Sequence, residues 1–426
     1  MSRSNQIIEV EIEELGWRGD GLASLAGERV FVPGTLPGER VRIRPSGRRK
    51  DGLTAELVEI LAPSPAREAA PCPHFLRCGG CAAQQLSAAE NADWKRRKVL
   101  VELERRGIRD VPLRDAVTVE PASRRRATLA ARKRRGTVTL GFNARESAAI
   151  EPISDCPILV PRLVALLPDL RDLAGALLRE GETADFAVAA LTGGVDLLLT
   201  IGRDPDLEAR EQVAAFAATA DVARVSWRRT TTADPEPMIQ KGTVAALFGG
   251  VPVTPPPGSF LQPSEAGERA LVNDVLAGLG AARRVADLFC GCGTFSLPLA
   301  AQGAGVDAFD ADPPALAALD RAARSAKLTG RLSTVRRNLF RDPVPAAALA
   351  AYDGLVFDPP RAGAQAQAGE IAGSRVPIVV AVSCNPATFA RDARRLLDGG
   401  YSVTELRIVD QFVWSHHVEL IASFRR

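Results

Sequence analysis

The 426-residue sequence contains no uninterrupted apolar run of about 18 residues, the shortest length expected of a membrane-spanning helix. Its opening stretch, MSRSNQIIEVEIEE, also lacks the apolar central segment of a secretory signal. These absences predict a cytoplasmic protein without membrane contact, in which the seven cysteines stay reduced unless they bind metal. Internal repeats and low-complexity tracts are also lacking, so the length predicts roughly two to four globular domains.

Histidine is scarce: the chain has three, and two of them, His416 and His417, are adjacent without an evident third metal ligand nearby. The net charge is only +3, but it is unevenly distributed. Residues 95–135 contain 15 Lys and Arg against 5 Asp and Glu, and the arginine-rich runs at 124–126 and 132–135 are the densest. Such clusters predict a surface that contacts nucleic-acid phosphates, and a solvated face is the alternative.

The secondary-structure pattern divides the chain into three segments. Short alternating strands separated by Gly and Pro turns predict a small oligonucleotide-binding type of barrel over residues 5–62. A mixture of strands and Ala/Leu-rich helices follows, and from Phe260 onward buried strands alternate with helices. That alternation predicts a doubly wound, mainly parallel sheet, and hence an α/β fold with a Rossmann-like C-terminal domain. The predicted domains are 1–62, 63–258 and 259–426.

One helix between the first and second segments is predicted in more detail. Ser87 and Glu90 have the spacing of a capping box, and Gly107 suits a helix end. The pattern therefore predicts a helix over 87–107.

A glycine-rich turn follows a buried strand in DLFCGCGTFSLPLA, residues 287–300. Gly291 and Gly293 let a ligand approach the backbone closely, and Asp310 near the end of the next strand suits ribose hydroxyls. The motif predicts a nucleoside-type cofactor, either a dinucleotide or S-adenosylmethionine. The two cysteines of the motif are interpreted as packing residues.

A rigid turn, FDPPRAG, follows a later strand and begins at Phe357. Similar Asp/Asn-Pro-Pro turns occur in many S-adenosylmethionine-dependent methyltransferases. In enzymes that methylate amino groups, an aromatic residue follows the prolines and stacks on the target base. Here Arg361 follows instead, which argues against amino methylation.

Two further residues have the character of a nucleophile and a base. Cys384 in VSCNPATFARD comes after a buried strand and before a helix, where the helix N-terminus is expected to favour a thiolate. Glu419 enters a closing strand, where burial is expected to raise the pKa of its carboxyl toward that of a useful base. Core packing for the cysteine and an edge position for the glutamate are the alternatives.

A cysteine cluster lies between the first segment and the predicted helix. CPHFLRCGGC has the spacing C-x5-C-x2-C, and a fourth thiol follows in SDCPIL. Four thiolates suit either zinc or an iron–sulfur cluster. The candidate ligands are Cys72, Cys78, Cys81 and Cys156.

With these motifs, the sequence resembles the RNA uracil-5-methyltransferase family over nearly its whole length. It resembles in particular the bacterial 23S ribosomal RNA branch that carries an iron–sulfur cluster. GDGLA and VFVPGTLPGERV resemble the TRAM RNA-binding barrel, and SRRRATL and LGFNARES resemble the central domain. DLFCGCGTFSLPLA, FDPPRAG and SCNPATFARD are similar to the catalytic domain. The resemblance also implies that the 87–107 helix packs against the catalytic domain.

The resemblance implies a role for each candidate residue. Cys384 would attack carbon 6 of uracil, and Glu419 would remove the proton from carbon 5. The four cysteines would hold a [4Fe-4S] cluster, and the barrel and basic region would contact 23S ribosomal RNA without an obligate protein partner. The implied contacts of S-adenosylmethionine are Gln262, Phe289, Thr294, Asp310, Asn338 and Asp358.

The sequence departs from the family pattern at three places. Ser264 stands where relatives often have Asn, and Thr294 stands where some relatives have Asn. VWSHH stands where relatives usually have Pro-His-Thr-x-His before the base, so the residues just before Glu419 also differ from the family pattern.

Two other functions remain open at this point. The same chemistry on transfer RNA is one, although relatives with that substrate generally lack the cysteine cluster. A non-catalytic RNA-binding iron–sulfur protein is the other, and it leaves Cys384 and Glu419 without a role.

Overall fold

The computed structural model describes residues 6–426. The first five residues of the predicted 1–62 domain lie outside this part of the chain. None of the helices in residues 6–426 combines the length and the apolar character needed to cross a membrane.

The N-terminal segment forms a six-stranded sheet of β1 (Ile8–Glu11), β2 (Glu14–Leu15), β3 (Asp20–Leu25), β4 (Glu28–Pro33), β5 (Arg40–Arg49) and β6 (Gly52–Ala62). The strand order is β1-β5-β6-β4-β3-β2. Just after β1, the N–H of Glu13 donates to the carbonyl of Leu22 in β3 at 2.8 Å, although four steps of the sheet order separate the two strands. The sheet therefore curls into a barrel, as predicted.

The next segment contains α1 (Ala88–Glu104) and the short strand β7 (Val117–Thr118). Ser87 is the N-cap of α1, and its hydroxyl accepts the N–H of Glu90 at 3.4 Å. The helix ends three residues before Gly107, which adopts a φ of 69° in the turn that follows. The predicted helix is thus present, but it ends at Glu104, three residues earlier than predicted.

The central region is a seven-stranded sheet with three helices. The sheet order is β10-β9-β8-β11-β12-β13-β14, and β12 and β13 form its one parallel pair within the described residues. The elements are β8 (Arg126–Arg134), β9 (Thr137–Asn143), β10 (Ile150–Pro152), α2 (Pro161–Ala165), α3 (Leu167–Leu177), β11 (Thr183–Leu191), β12 (Gly194–Ile201), α4 (Leu207–Thr219), β13 (Val222–Arg228) and β14 (Glu236–Gln240).

A two-stranded hairpin and the C-terminal domain complete the chain. The elements are β15 (Ala246–Phe248), β16 (Val251–Val253), α5 (Glu265–Leu279), β17 (Arg284–Leu288), α6 (Ser296–Ala301), β18 (Gly305–Asp310), α7 (Pro313–Ser325), β19 (Leu332–Arg336), α8 (Ala346–Leu349), β20 (Gly354–Phe357), α9 (Gln365–Gly373), β21 (Ile378–Ser383), α10 (Pro386–Asp398), β22 (Ser402–Asp410) and β23 (Glu419–Arg425).

The C-terminal sheet has the order β19-β18-β17-β20-β21-β23-β22-β7. Its first five strands are parallel, and β23 is antiparallel to both neighbours. The order reverses between β17 and β20, which is the place where doubly wound sheets open a ligand crevice. The predicted doubly wound sheet is confirmed, and it also includes β7, which precedes the rest of the domain in the chain.

Two hydrophobic cores cover the two faces of this sheet. Along β17, Val285 packs into one core, whereas Ala286 and Leu288 pack into the other. This alternation follows from the two-residue period of a strand that is buried on both faces. Helix α1 adds Val99 and Leu103 to the second core and contacts α10. Helix α1, from the N-terminal part of the chain, therefore supports one face of the sheet and the helix α10 that follows Cys384.

Candidate active site

The carboxyl ends of the parallel strands bring the chemically reactive residues to one edge of the C-terminal sheet. Asp310 ends β18, Asp358 follows β20 and Cys384 follows β21. Strand β23 runs antiparallel to β21, so its first residue, Glu419, lies at the same edge. Residues from four separate parts of the C-terminal domain therefore meet around one crevice.

Cys384 lies between β21 and α10, where Asn385 caps the helix by accepting the N–H of Ala387 at 3.1 Å. The helix N-terminus is expected to favour a thiolate, but the structure indicates the opposite. Burial, together with the carboxyls of Glu419 and Asp358, raises the pKa of the Cys384 thiol to about 11. Burial therefore opposes the thiolate that the helix N-terminus is expected to favour.

A cavity of about 320 Å³ opens beside Cys384. Its walls come from the C-terminal domain, from α1 and from the N-terminal barrel, so that three parts of the chain enclose it. Positive side chains outnumber carboxylates in these walls. Its lining includes Trp17, Arg18, Lys98, Arg361, Cys384 and His417.

Hydrogen bonds connect the predicted base to two of the predicted cofactor-binding residues. The amide nitrogen of Gln411 donates to Glu419 Oε2 at 3.0 Å and to Gln262 Oε1 at 2.7 Å. The amide nitrogen of Gln262 in turn lies 3.3 Å from Asp358 Oδ2. Three of these side chains, Gln262, Gln411 and Glu419, are each 3% exposed. The chain of contacts therefore holds a buried carboxyl in a defined orientation.

The two carboxyls at the ends of this chain have strongly altered acidity. Burial, followed by the neighbouring Asp358, raises the pKa of Glu419 well above its ordinary range, which is the direction that the sequence predicts. Protein atoms packed around the half-buried Asp358 raise the pKa of its carboxyl to about 7. Two carboxyls that share a poorly solvated site cannot both ionise easily. Carboxyls with raised pKa values are well suited to exchange protons near neutral pH.

The glycine-rich turn after β17 is fixed by the acidic residue at the end of β18. Asp310 Oδ2 accepts the N–H of Gly291 at 2.9 Å, and Gly291 adopts a φ of 52°. Phe289 also has a positive φ, of 66°, which is uncommon for an aromatic residue and typical of a functional turn. This hydrogen bond therefore fixes the turn and the carboxylate of Asp310 relative to each other.

Two aromatic rings flank this turn. The rings of Phe289 and Phe340 lie 5.4 Å apart between centroids, and Phe340 is 49% exposed. Asn338 fixes the second ring, because its side-chain oxygen accepts the N–H of Phe340 at 3.2 Å. The structure thus brings Phe289 and Asn338 together through a residue that sequence reasoning did not select.

Two positions that depart from the family pattern have simple structural surroundings. Ser264 is the N-cap of α5, and its hydroxyl accepts the N–H of Gly267 at 3.0 Å. Thr294 lies in the turn that precedes α6, and its side chain forms no hydrogen bond with another residue in 6–426. The first substitution therefore retains a helix cap, whereas nothing in the structure explains the second.

The arginine run at 124–126 is not the open phosphate-binding surface that the charge density predicts. Arg125 is 4% exposed, donates to the carbonyl of Gln262 at 3.0 Å and pairs with Glu268 at 2.5 Å. Arg126 donates to the carbonyl of Leu261 at 2.5 Å, and burial lowers the pKa of Arg126 to about 10. These arginines anchor the segment that presents Gln262, so the expectation is corrected. Within residues 124–135, the exposed basic side chains are Arg132, Arg134 and Arg135.

The adjacent histidines lie in the loop between β22 and β23. Arg361 contacts both ring nitrogens of His417. Burial is the main cause that lowers the pKa of His416 to about 4 and that of His417 to about 3, so both rings are neutral at physiological pH. Both histidines line the cavity beside Cys384 and also a second cavity on the opposite side of the loop.

That second cavity, of about 380 Å³, is lined by all four cysteines of the predicted cluster. Cys72, Cys78 and Cys81 come from one irregular segment, and Cys156 comes from the loop after β10. No three His, Cys, Asp or Glu side chains within the described residues 6–426 are close enough to hold a single metal ion. The thiols therefore surround a space rather than a point, and an all-sulfur donor set of this kind fits a cluster of several irons.

The loop that separates the two cavities is fixed by the N-terminal half of the chain. Lys95, which is 1% exposed, donates to Asp410 Oδ1 and Oδ2 at 2.5 and 2.6 Å. Lys98 donates to the carbonyl of His416, and the N–H groups of residues 82 and 83 donate to the carbonyl of Trp414 at 2.8 and 3.0 Å. The segment that follows the cysteines therefore holds the loop that leads to Glu419.

Several residues of this site escaped sequence reasoning. Gln411 lies eight positions before Glu419, but no spacing marks it, because its other partner, Gln262, is 149 positions away. Trp17 and Lys98 belong to other domains than Cys384, so only the folded structure brings them to the same cavity. Trp17 is distinguished by the exposure of its aromatic ring to water, and that exposure can be seen only in the folded structure.

Comparison with known proteins supports the assignment of both ends of the chain. Residues 2–56 match the TRAM domain model, and residues 255–424 match the model for tRNA (Uracil-5-)-methyltransferase. The solved structure of the Pyrococcus abyssi tRNA (uracil-54, C5)-methyltransferase in complex with S-adenosyl-L-homocysteine has a TM-score of 0.77. It is 22% identical and covers 98% of this chain and 100% of its own. That likeness shows a shared fold.

Curated relatives are more similar in sequence. An uncharacterized RNA methyltransferase from Brucella suis is 43% identical over 421 residues, with 98% of both chains covered. A 23S rRNA (uracil(1939)-C(5))-methyltransferase from Halomonas elongata is 35% identical, and the match covers 96% of this chain and 88% of the relative. The chain therefore belongs to the RNA uracil-5-methyltransferase family.

Proposed function

We propose that this protein transfers a methyl group from S-adenosylmethionine to carbon 5 of a uridine in RNA through a covalent adduct with Cys384. The observation that carries the proposal is the meeting of Cys384 and the buried Glu419 at one sheet edge. The hydrogen-bonded chain through Gln411 also ties Glu419 to Gln262 and Asp358. Each of these groups has a role in a reaction that needs a nucleophile, a base and a cofactor site.

Carbon 5 of uracil is a weak nucleophile, and addition of Cys384 Sγ to carbon 6 removes this difficulty. The sulfur forms a bond to carbon 6 and gives its proton to solvent in the cavity, while the electron pair of the 5,6 double bond becomes available at carbon 5. Because the thiol pKa is about 11, the proton must leave as the bond forms. The uridine must also be extruded from its stack to reach the buried sulfur.

When bound, S-adenosylmethionine supplies an electrophilic methyl group and a positive charge that favours the ionised forms of carboxyls in the site. Glu419 then accepts the proton of carbon 5, and the electron pair of that bond re-forms the 5,6 double bond. Elimination of Cys384 Sγ from carbon 6 completes the cycle, and the thiolate takes up the proton that Glu419 accepted. Asp358, Gln262, Phe289, Thr294, Asp310 and Asn338 are the residues we assign to binding the cofactor.

We assign 23S ribosomal RNA as the substrate. The relative from Halomonas elongata, whose name states that substrate, matches 96% of this chain at 35% identity. The tRNA-modifying relative of known structure is only 22% identical, and transfer RNA is the alternative substrate. RNA contacts are assigned to the N-terminal domain, 1–62, and to the exposed basic end of β8 in the central domain, 63–258.

We further propose that Cys72, Cys78, Cys81 and Cys156 hold a [4Fe-4S] cluster. Such a cluster binds one thiolate at each iron, so it requires four thiols around a shared space. The proposal is supported by the one cavity that all four of these side chains line. The cluster would be structural, because four thiolates leave no iron open to a substrate and the cavity is separated from Cys384 by the loop of His416 and His417.

A mechanism-based trap tests the catalytic proposal. RNA that contains 5-fluorouridine should form an adduct that survives a denaturing gel, because fluorine cannot be removed from carbon 5 as a proton is. Cys384→Ala should form no adduct, whereas its affinity for S-adenosylmethionine should match that of the unaltered protein. Methylation of natural RNA by Cys384→Ala at the normal rate would disprove the covalent route. Unmodified 23S ribosomal RNA and transfer RNA, assayed side by side, distinguish the two substrates.

A further inference from the structure

The cavity beside Cys384 has one wall that the catalytic domain does not supply. Trp17 and Arg18 lie in the turn between β2 and β3 of the N-terminal barrel, and both line this cavity. Trp17 is 42% exposed, in contrast to Trp94 and Trp227, which are 2% and 1% exposed. A large aromatic side chain left partly in water at the edge of a reactive cavity indicates a binding surface rather than a packing role.

The position of Trp17 is fixed by its surroundings. The ammonium group of Lys98 lies 5.3 Å from the centroid of the indole ring, and the guanidinium carbon of Arg105 lies 5.8 Å from it. Gly19, two residues further on, packs so closely on the next segment that a Cβ there would lie 2.9 Å from the carbonyl oxygen of Ala82. The indole is therefore held against α1 and the cysteine-bearing segment and is not on a free loop.

The charged side chains around Trp17 indicate which kind of ligand this surface binds. Arg18, Lys98 and Arg361 line the cavity together with Trp17, against the carboxylate of Glu102. Arg18 also forms an exposed pair with Glu146 at 3.1 Å, and burial lowers the pKa of Lys98 to about 7, so Arg361 and Arg18 supply most of the positive charge. An aromatic ring among cationic side chains is the arrangement by which proteins bind single-stranded nucleic acid, since bases stack on the ring and phosphates pair with the cations. An acidic protein partner would use the cations but would have no need of a ring beside the reactive sulfur.

We propose that Trp17 is a stacking platform for a nucleobase that flanks the target uridine. The inference rests on the proposed function, because extrusion of the uridine toward Cys384 leaves its neighbours without a stacking partner. The exposed indole replaces that partner, and Arg18 lies beside it where a flanking phosphate can be neutralised. The N-terminal barrel thereby contributes directly to recognition at the reaction site.

The test compares Trp17→Ala with Trp17→Phe, which keeps an aromatic face. Loss of a base stack costs about 1–3 kcal/mol, so Trp17→Ala should raise the Kd and the KM for RNA roughly 5- to 150-fold. Trp17→Phe should retain most of the affinity. The kcat at saturating RNA and the affinity for S-adenosylmethionine should not change. Leu207→Ala, which truncates a 72% exposed side chain on α4, is the matched control and should leave both constants unaltered.

Two results would overturn the inference. One is an unchanged Kd for RNA in Trp17→Ala. The other is an equal loss in the Ala and Phe variants accompanied by a lower Tm, which would assign a structural role to the residue. Failure of the proposed function gives a different result, because the unaltered protein itself would then form no adduct with RNA that contains 5-fluorouridine.

Discussion

The two cavities on either side of the loop of His416 and His417 are built in different ways. The catalytic cavity takes its reactive groups from the ends of strands, where the sheet fixes the backbone before any side chain is placed. The sulfur cavity takes its thiols from irregular segments, which are fixed by isolated hydrogen bonds such as that from Gly79 N–H to the carbonyl of Asn143, at 3.0 Å. The first is thus organised by the strands of the sheet, whereas the second depends on contacts between irregular segments.

This difference has a consequence for the loop between the cavities. The loop is held from one side by the segment after Cys81, through the two N–H groups that donate to the carbonyl of Trp414, and it leads on the other side to Glu419. Damage to the catalytic cavity should therefore change chemistry and spare the fold. Substitutions in the sulfur cavity should destabilise the fold first. They should lower activity only because the loop that leads to Glu419 is then less well held.

The largest effect is expected for Glu419→Gln, which removes the proposed base at the same sheet edge as Cys384. Methyl transfer should occur, but release of RNA should slow by roughly 10²- to 10⁴-fold, because elimination needs the carbon-5 proton to be removed. A covalent complex should accumulate on a denaturing gel, and the Tm should match that of the unaltered protein. Glu405→Gln, in the neighbouring strand β22, is the control. Normal release of methylated RNA by Glu419→Gln would assign the base to another residue.

The second prediction concerns the sulfur cavity and gives the opposite pattern. Anaerobically purified protein should contain about four irons per chain, and Cys81→Ser should reduce that number below about one. The yield of folded protein should fall more than the specific activity of the molecules that remain folded. Iron analysis and a calorimetric Tm measure the two effects, with Cys384→Ala as a control that keeps its iron. Stoichiometric zinc without iron in the unaltered protein would refute the cluster.

Sequence reasoning succeeds where the fold determines position. The strand-end rule for parallel sheets correctly places Asp310, Asp358 and Cys384 at one edge, because a buried strand is recognisable from its apolar run. It also correctly predicts the direction in which burial shifts the pKa of Glu419.

It fails where the outcome depends on distant partners. The run at 124–126 has the charge density of a phosphate-binding surface, yet Arg125 is buried against Glu268, which is 143 positions away in the sequence. Neither spacing nor composition reveals a contact between residues so far apart in the sequence.

A local pattern can also be missed. Strand β3 is not predicted, because its Gly and Ser residues interrupt the alternation of apolar and polar residues, although its first four residues are buried.

The third prediction addresses a contact that the sequence did not reveal. Gln411→Met keeps the volume of the side chain but removes the N–H groups that donate to Glu419 and Gln262. Donation to Glu419 favours its carboxylate, so its loss should raise the pKa of that carboxyl further. The rising limb of kcat against pH should then move toward higher pH, and kcat at neutral pH should fall about tenfold.

A double-variant experiment distinguishes positioning from a merely structural role. If Gln411 acts through Glu419, adding Gln411→Met to Glu419→Gln should slow product release little further, because the two changes remove one interaction. Additive effects, or a pH profile of Gln411→Met that coincides with that of the unaltered protein, would contradict this role.

The smallest effect is expected outside both cavities, at the exposed end of β8. One end of this region, at 124–126, is buried and anchors the segment of Gln262, whereas Arg132, Arg134 and Arg135 face solvent. Replacing these three with Ala should weaken RNA binding modestly and reduce the log–log salt slope by about 0.7 for each single-strand phosphate that the protein no longer neutralises. The choice of uridine should not change, because phosphate contacts carry no base information. The control is Arg375→Ala, an exposed arginine before β21 and therefore at the sheet edge opposite to Cys384. An unaltered slope in the triple variant would exclude this surface from RNA binding and leave the barrel, with Trp17, as the main RNA-binding surface outside the catalytic domain.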